Sequence, residues 1–129
     1  MNHSSNADMK GIIDAITWKS YLFLVYEWNL NPSEAAALAG LPVHLWVRAK
    51  EPGFAAELTE YQLHRIRSTF CIAKSLDRRF SSAITNQWFF QPNTDVLFGG
   101  RRPIDLMMVG GGDQLRAVQD YVDSLPELQ

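Results

Sequence analysis

Cysteine is nearly absent from this chain. Cys71 stands alone among 129 residues, so no intramolecular disulfide can form, which fits a reducing compartment. Long apolar runs are missing as well. The densest, Tyr21 to Trp28, is too short to span a bilayer and contains Glu27. No early stretch has the apolar centre of a secretory leader. These absences predict a cytoplasmic protein with no membrane partner. An excess of one charge is also lacking: the formal net charge is -2, which does not announce a nucleic-acid binder. Metal-ligating residues are few. His64 and Cys71 lie seven apart, about two helical turns, too far along an axis to hold one ion together. His44 sits on another segment and His3 near the start. Cys71 therefore reads as a small buried hydrophobe. No serine–histidine pair, carboxylate pair or lysine-bearing phosphate loop stands out, so neither catalysis nor a cofactor is expected.

What is present is ordinary globular material, 47% hydrophobic and 20% charged, which excludes general disorder. A chain of this size buries about two thirds of its unfolded surface and needs no covalent staple. Residues 1–10, MNHSSNADMK, carry little apolar surface and read as a disordered tail. In residues 12–28, Ile12, Ile13, Ile16, Phe23 and Tyr26 roughly keep a helical stripe, although YLFLVYEW also reads as a buried strand. The helical reading is preferred because every clear element after it is helical. Asn31 or Ser33 can cap a helix through the alanines 35–37 and 39, with Glu34 in its first turn. Gly40 supplies a sharp turn, and a second helix is expected from about Val43 to Lys50, stopped by Pro52-Gly53. Thr59 then caps a long helix whose Leu63, Ile66, Phe70, Ala73, Leu76 and Phe80 recur at steps of three and four.

Residues 1–80 hold nine basic against eight acidic side chains, a net of +1; residues 81–129 hold three against six, a net of -3. Arg65, Arg67, Lys74, Arg78 and Arg79 make one stretch locally basic, and they fall mostly off the apolar stripe. This asymmetry permits a DNA-facing first half. The two short helices around Gly40 have the outline of a helix-turn-helix: a small residue, Ala36, four before the glycine, with Leu41, Trp46 and Ala49 facing inward. His44, Leu45, Arg48 and Lys50 would then be exposed on the second helix. Arg48 would donate to guanine edges or phosphate, and Lys50 to phosphate. The same pattern also builds any small helical bundle, and two cations are a thin footprint for DNA.

The last third carries the most specific pattern. A helix is expected over about Ser82 to Phe90, a short one from Pro103 to Met108 with Asp105 near its free amides, and a final one from about Asp113 to Ser124. Trp88, Leu97 and Leu106 read as core. Leu106, Met107 and Met108 cannot all point inward from so short a helix, so Arg101, Arg102, Met107 and Met108 are read as an interface. Gly99-Gly100-Arg101-Arg102 before a helix start also has the makings of an anion or nucleotide site.

From Trp88 onward the stretch WFFQPNTDVLFGGRRPIDLMMVGGGDQLRAVQDYVDSL is very similar to the C-terminal domain of the Xre/MbcA/ParS-like antitoxins, which partner RES-type toxins in bacterial toxin–antitoxin pairs. The shared points are Trp88, Pro92, Asn93, Leu97, Gly99/Gly100, Pro103, Ile104, Asp105, Leu106, Gly112, Val118 and Val122. The resemblance implies an all-α, dimeric protein whose C-terminal part grips a RES toxin and obstructs its NAD-consuming active site, while its N-terminal part binds operator DNA of its own operon. On that reading the toxin contacts fall on Phe98, Arg101, Arg102, Asp105, Met107 and Met108. The expected layout is a tail at 1–10, a helix-turn-helix region at 11–58, a long linking helix at 59–80 and a toxin-binding domain at 81–129. The alternative is a stand-alone helix-turn-helix transcriptional regulator that keeps the C-terminal fold for dimerisation.

Overall fold

The computed structural model describes residues 2–127; Met1, Leu128 and Gln129 lie outside the described residues. Among those described there is no strand. The elements are α1 (Asn2–Glu27), α2 (Pro32–Ala39), α3 (Glu60–Asp77), α4 (Ser82–Trp88), α5 (Pro103–Val109) and α6 (Gly112–Asp123), with 3-10 turns at Val43–Arg48 and Phe54–Glu57. The chain divides into two compact units, Met1–Ile66 and Arg67–Gln129, and the division falls inside α3. The linking helix is therefore shared between the units and is not a segment of its own.

In the first unit, α1 settles the helix-or-strand ambiguity of residues 21–28 in favour of helix. It also begins at Asn2, in the segment the sequence predicts as a tail. Its buried face is Trp18, Tyr21 and Leu24, with Asp14, and Trp28 just past its end is buried too. The stripe Ile12, Ile13, Ile16, Phe23 and Tyr26 is the exposed face of the same helix. Trp18, Tyr21, Trp46 and Phe54 pack with ring centroids 5.3 to 6.3 Å apart. The two polar tips on the helix side of this cluster find main-chain acceptors: Trp18 Nε1 donates to Ala49 O at 2.8 Å and the Tyr21 hydroxyl to Ala35 O at 2.6 Å. Burial pushes the Tyr21 hydroxyl pKa well up, opposed in part by the nearby Arg65 charge.

Left-handed Asn29 (φ 53°) ends α1, with Leu30 N bonded back to Val25 O. Asn31 then caps α2 in a reciprocal box: its side chain accepts from Glu34 N at 2.8 Å, and its own N–H donates to Glu34 Oε1 at 2.9 Å. At the other end, Gly40 (φ 73°) closes α2. A Cβ there would come within 2.8 Å of Arg65 Cδ. That contact reveals the purpose of Arg65, which is buried and donates to Leu38 O (2.9 Å), Ala37 O (3.4 Å) and the Tyr61 hydroxyl (3.1 Å). A guanidinium on α3 thus satisfies Leu38 O at the end of α2 and shares Ala37 O with the Gly40 N–H.

α3 starts as its sequence predicts. Thr59 Oγ1 accepts from Gln62 N at 3.1 Å, and Gln62 Oε1 accepts from Thr59 N at 2.8 Å. Leu63, Ile66, Ile72 and Leu76 are fully buried, each worth about 1.5–3 kcal/mol of apolar transfer. Two sequence expectations fail along this helix. Cys71 is exposed, because it lies between the buried Ile72 and the half-buried Phe70 on a helix whose core stripe does not widen to reach it. Arg65 and Arg79 do not face outward; both are buried.

Candidate functional site

The segment that follows Gly40 is a 3-10 turn, Val43–Arg48, where the sequence suggests an α-helix to Lys50. Its bonds run three residues apart, from Leu45 N to Pro42 O and from Ala49 N to Trp46 O, both 3.0 Å. Pro42 offers no side-chain cap, Val43 and Val47 are β-branched, and Pro52 disfavours helical geometry at Glu51. Those terms disfavour continuing the turn as an α-helix. Leu41 and Ala49 are buried as expected, and Trp46 is half-buried.

Of the residues predicted to face DNA, His44 and Lys50 are exposed and Leu45 is half-buried. Arg48 is committed elsewhere. Its Nη1 and Nη2 grip both oxygens of Glu57 at 2.8 and 2.6 Å, and its Nε reaches Glu51 at 3.1 Å. Its guanidinium carbon also lies 5.6 Å from the Phe54 ring centroid. The guanidinium holds the Glu57 carboxyl below the usual carboxylate range, and the two carboxylates raise the Arg48 pKa in turn. Glu51 and Glu57 together cancel the charge of Arg48 and Lys50, so this surface offers little net attraction for phosphate.

In the second unit, a short loop is folded back on itself between α4 and α5. Asn93 clasps it: Asn93 N donates to Arg101 O (3.0 Å), Gly100 N to Asn93 O (2.8 Å) and Asp95 N to Asn93 Oδ1 (2.9 Å). Closing this ring requires left-handed backbone at Gly99 (φ 58°) and Gly100 (φ 87°), which glycine adopts without steric cost. Pro103 then opens α5, Ile104 N ties back to Phe89 O at 3.0 Å, and Pro103, Ile104, Leu106 and Met107 are buried. From α6, Leu115, Val118 and Val122 complete the core. Phe98 is wedged among Trp88 and Tyr121, with centroids 5.7 and 5.1 Å away and rings edge-on.

The end of α6 is held in the same manner as the end of α2. Arg79, buried, donates to Leu125 O and Asp123 O, each at 2.9 Å, and to Ser75 O at 2.9 Å. The Ser75 hydroxyl donates to Asp123 at 2.6 Å and, with Gln119 and the charge of Arg79, keeps that carboxyl below its ordinary range.

Residues 76–126 match the antitoxin Xre/MbcA/ParS C-terminal toxin-binding domain. This segment belongs to that family. No curated protein and no solved structure matches the chain. The toxin-binding domain occupies α4, α5, α6 and the end of α3, inside the second unit. Its family is defined by binding and not by catalysis. Among the described residues no three His, Cys, Asp or Glu converge as a metal site, and no helix is long and apolar enough to cross a membrane.

Within the toxin-binding domain the sequence-selected residues separate into two groups. Phe98 and Met107 are fully buried and are removed from any contact surface. Met107 turns inward because α5 presents Pro103, Ile104, Leu106 and Met107 to the core together, a broad face for seven residues. Arg101 is exposed, and Arg102, Asp105 and Met108 are half-buried. Arg102 pairs with Asp105 through two hydrogen bonds, 2.9 and 2.6 Å, and stands 5.9 Å over the Phe90 ring. The guanidinium lowers the Asp105 pKa. Arg101 Nε donates to Phe98 O at 3.0 Å. These commitments leave Gly99–Arg102 poorly equipped as an anion site. Sequence reasoning missed three exposed apolar residues of this domain, Ile84, Val96 and Val109. Valine at the tip of a loop or at the last position of a short helix carries no periodic signal.

Proposed function

We propose that the chain is the antitoxin of a toxin–antitoxin pair, acting as a homodimer, and that its toxin-binding domain neutralises a RES-type toxin by covering the approach to an NAD-consuming site. The observation that carries this reading is the family match over residues 76–126, which falls on a self-contained helical unit. The surface offered to the toxin is drawn from Arg101, Arg102, Asp105 and Met108, joined by Val96 and Val109, which the structure leaves exposed. An exposed arginine beside methionine and valine is ordinary anchor chemistry for a protein partner.

Co-expression with a RES-type toxin encoded beside it tests the reading. Growth should be rescued and the two proteins should co-purify. Arg101→Ala combined with Val109→Asp should weaken capture at least tenfold while the circular dichroism stays unchanged. A neighbouring RES toxin that is neither bound nor neutralised sinks the proposal.

Operator binding enters the proposal in narrower form. His44, Leu45 and Lys50 remain available to DNA, and Arg48 reaches a phosphate only by giving up Glu57. The stand-alone regulator gains nothing from this geometry, because its main cation is already neutralised.

A further inference from the structure

α1 is apolar on two sides. One side is the core face of Trp18, Tyr21 and Leu24; the other faces solvent. A helix that is apolar around most of its circumference belongs between two bodies. The first part of the helix stands out further: every described side chain from Asn6 to Ile13 is exposed. The ion pair of Lys10 with Glu60 (2.9 Å) ties this stretch to α3, but its apolar Met9, Ile12 and Ile13 stay in water, and a helical segment of this kind is marginal without apolar packing.

The exposed side has a strict spacing. Met9, Ile12, Ile16, Lys19, Phe23 and Tyr26 follow steps of three, four, three, four and three, the a and d positions of a two-stranded coiled coil. All six are exposed, with Ile16 at 61%, Phe23 at 65% and Tyr26 at 83%, and Ile13 flanks them. We infer that this stripe of α1 is the seam of a homodimer, in which α1 of a second copy lies antiparallel along it.

The register follows from charge. In a parallel pair Lys19 would face the Lys19 of the other copy inside the seam, two like charges at closest approach. In an antiparallel pair each a position meets a d position. Met9 then packs on Tyr26, Ile12 on Phe23, and the aliphatic stem of Lys19 lies along Ile16 with its ammonium free to reach water. Each layer pairs a large side chain with a slimmer one, and the two lysines separate.

The area is sufficient. Each of the five apolar side chains of the stripe, and Ile13 beside them, removes on the order of 100 Å² from water, so these six from each of two copies bury on the order of 1,200 Å², the lower edge of a stable interface. The same face on both copies is what two-fold symmetry requires. The inference rests on the homodimer within the proposed function and names its surface.

Equilibrium sedimentation of the full chain tests it, with toxin capture measured in parallel. The wild-type chain should show twice its 14.6 kDa mass, and Ile16→Glu and Phe23→Glu should each return it to one chain with unchanged helical signal. The register is read in a Cys71→Ser background: Ile12→Cys and Phe23→Cys chains, folded together, should form a disulfide dimer that neither forms alone. A monomeric wild type overturns the seam, as does a dimer indifferent to both glutamates. Self-crosslinking of Ile12→Cys overturns the antiparallel register. Loss of toxin capture by a wild-type chain that still dimerises would instead sink the antitoxin reading and leave the seam standing.

Discussion

Two buried arginines decide much of this molecule, and neither is where a surface reading of basic residues puts it. Arg65 and Arg79 each leave α3 or its end to satisfy carbonyls at a helix C-terminus, of α2 and α6 respectively. Truncation of Arg65 would strand the buried Leu38 O, so Arg65→Ala should cost about 3 kcal/mol. Arg65→Lys should recover only part, because an ammonium cannot fork between Leu38 O and Ala37 O. Urea unfolding followed by circular dichroism measures both. Thr85 offers the opposite case. Its hydroxyl is buried and finds no hydrogen-bond partner, so the isosteric Thr85→Val should leave the midpoint unchanged or raise stability by up to about 1 kcal/mol.

Among the helices, those with chemical punctuation were legible from the chain alone. Asn31-Pro32 with Glu34, Thr59 with Gln62, and Pro103 each mark a start that the structure keeps. What could not be read was which face of an apolar helix turns inward. Ile12, Ile16 and Phe23 form a better stripe than Trp18, Tyr21 and Leu24, yet the second set is buried: Trp18 and Tyr21 pack on Trp46 and Phe54, and their polar tips find Ala49 O and Ala35 O. Spacing cannot distinguish a 3-10 turn from one and a half α-turns, so where the sequence predicts a second helix after Gly40 the structure has a 3-10 turn. Phe98 and Met107, expected on the toxin surface, are buried instead: Trp88 and Tyr121 hold Phe98 edge-on, and α5 turns four of its seven residues to the core.

Two carboxylates of the second unit, at the start of α5 and the end of α6, give it a pH signature. Asp105 is held below its ordinary range by Arg102, and Asp123 by Ser75. A carboxyl depressed on folding adds stability above the unfolded value, about 3.9 for aspartate, and that contribution disappears as pH falls through the folded value. The toxin-binding domain should therefore lose stability below about pH 4, and Asp105→Asn should flatten part of that loss. The Asp105 share is small, under about 1 kcal/mol, because water screens a pair exposed to this degree. Thermal midpoints across acidic pH for both chains provide the check. In the first unit, Glu57→Gln removes the carboxylate that both Nη1 and Nη2 of Arg48 hold, and gel shifts should then show tighter DNA binding with a steeper salt slope than the wild type.

Taken whole, the chain places its two proposed contacts in different units: the α1 stripe in the first and the toxin-binding domain in the second. Energetic coupling between sites requires an element with two arrangements that both sites bias, and a stripe of exposed side chains on α1 does not provide one. The contacts should therefore be separable by mutation. Ile16→Glu should abolish dimerisation and leave the affinity of each chain for an immobilised RES toxin within about twofold, since substitutions without shared partners are close to additive. Arg101→Ala with Val109→Asp should do the reverse. A double variant carrying both sets should show each defect at its single-variant size. Calorimetric titration of toxin into the four chains, with sedimentation of the same samples, resolves the two axes. If Ile16→Glu lowered intrinsic toxin affinity as much as the Arg101 and Val109 changes do, the toxin surface would have to extend onto α1, and the assignment of one contact to each unit would be wrong.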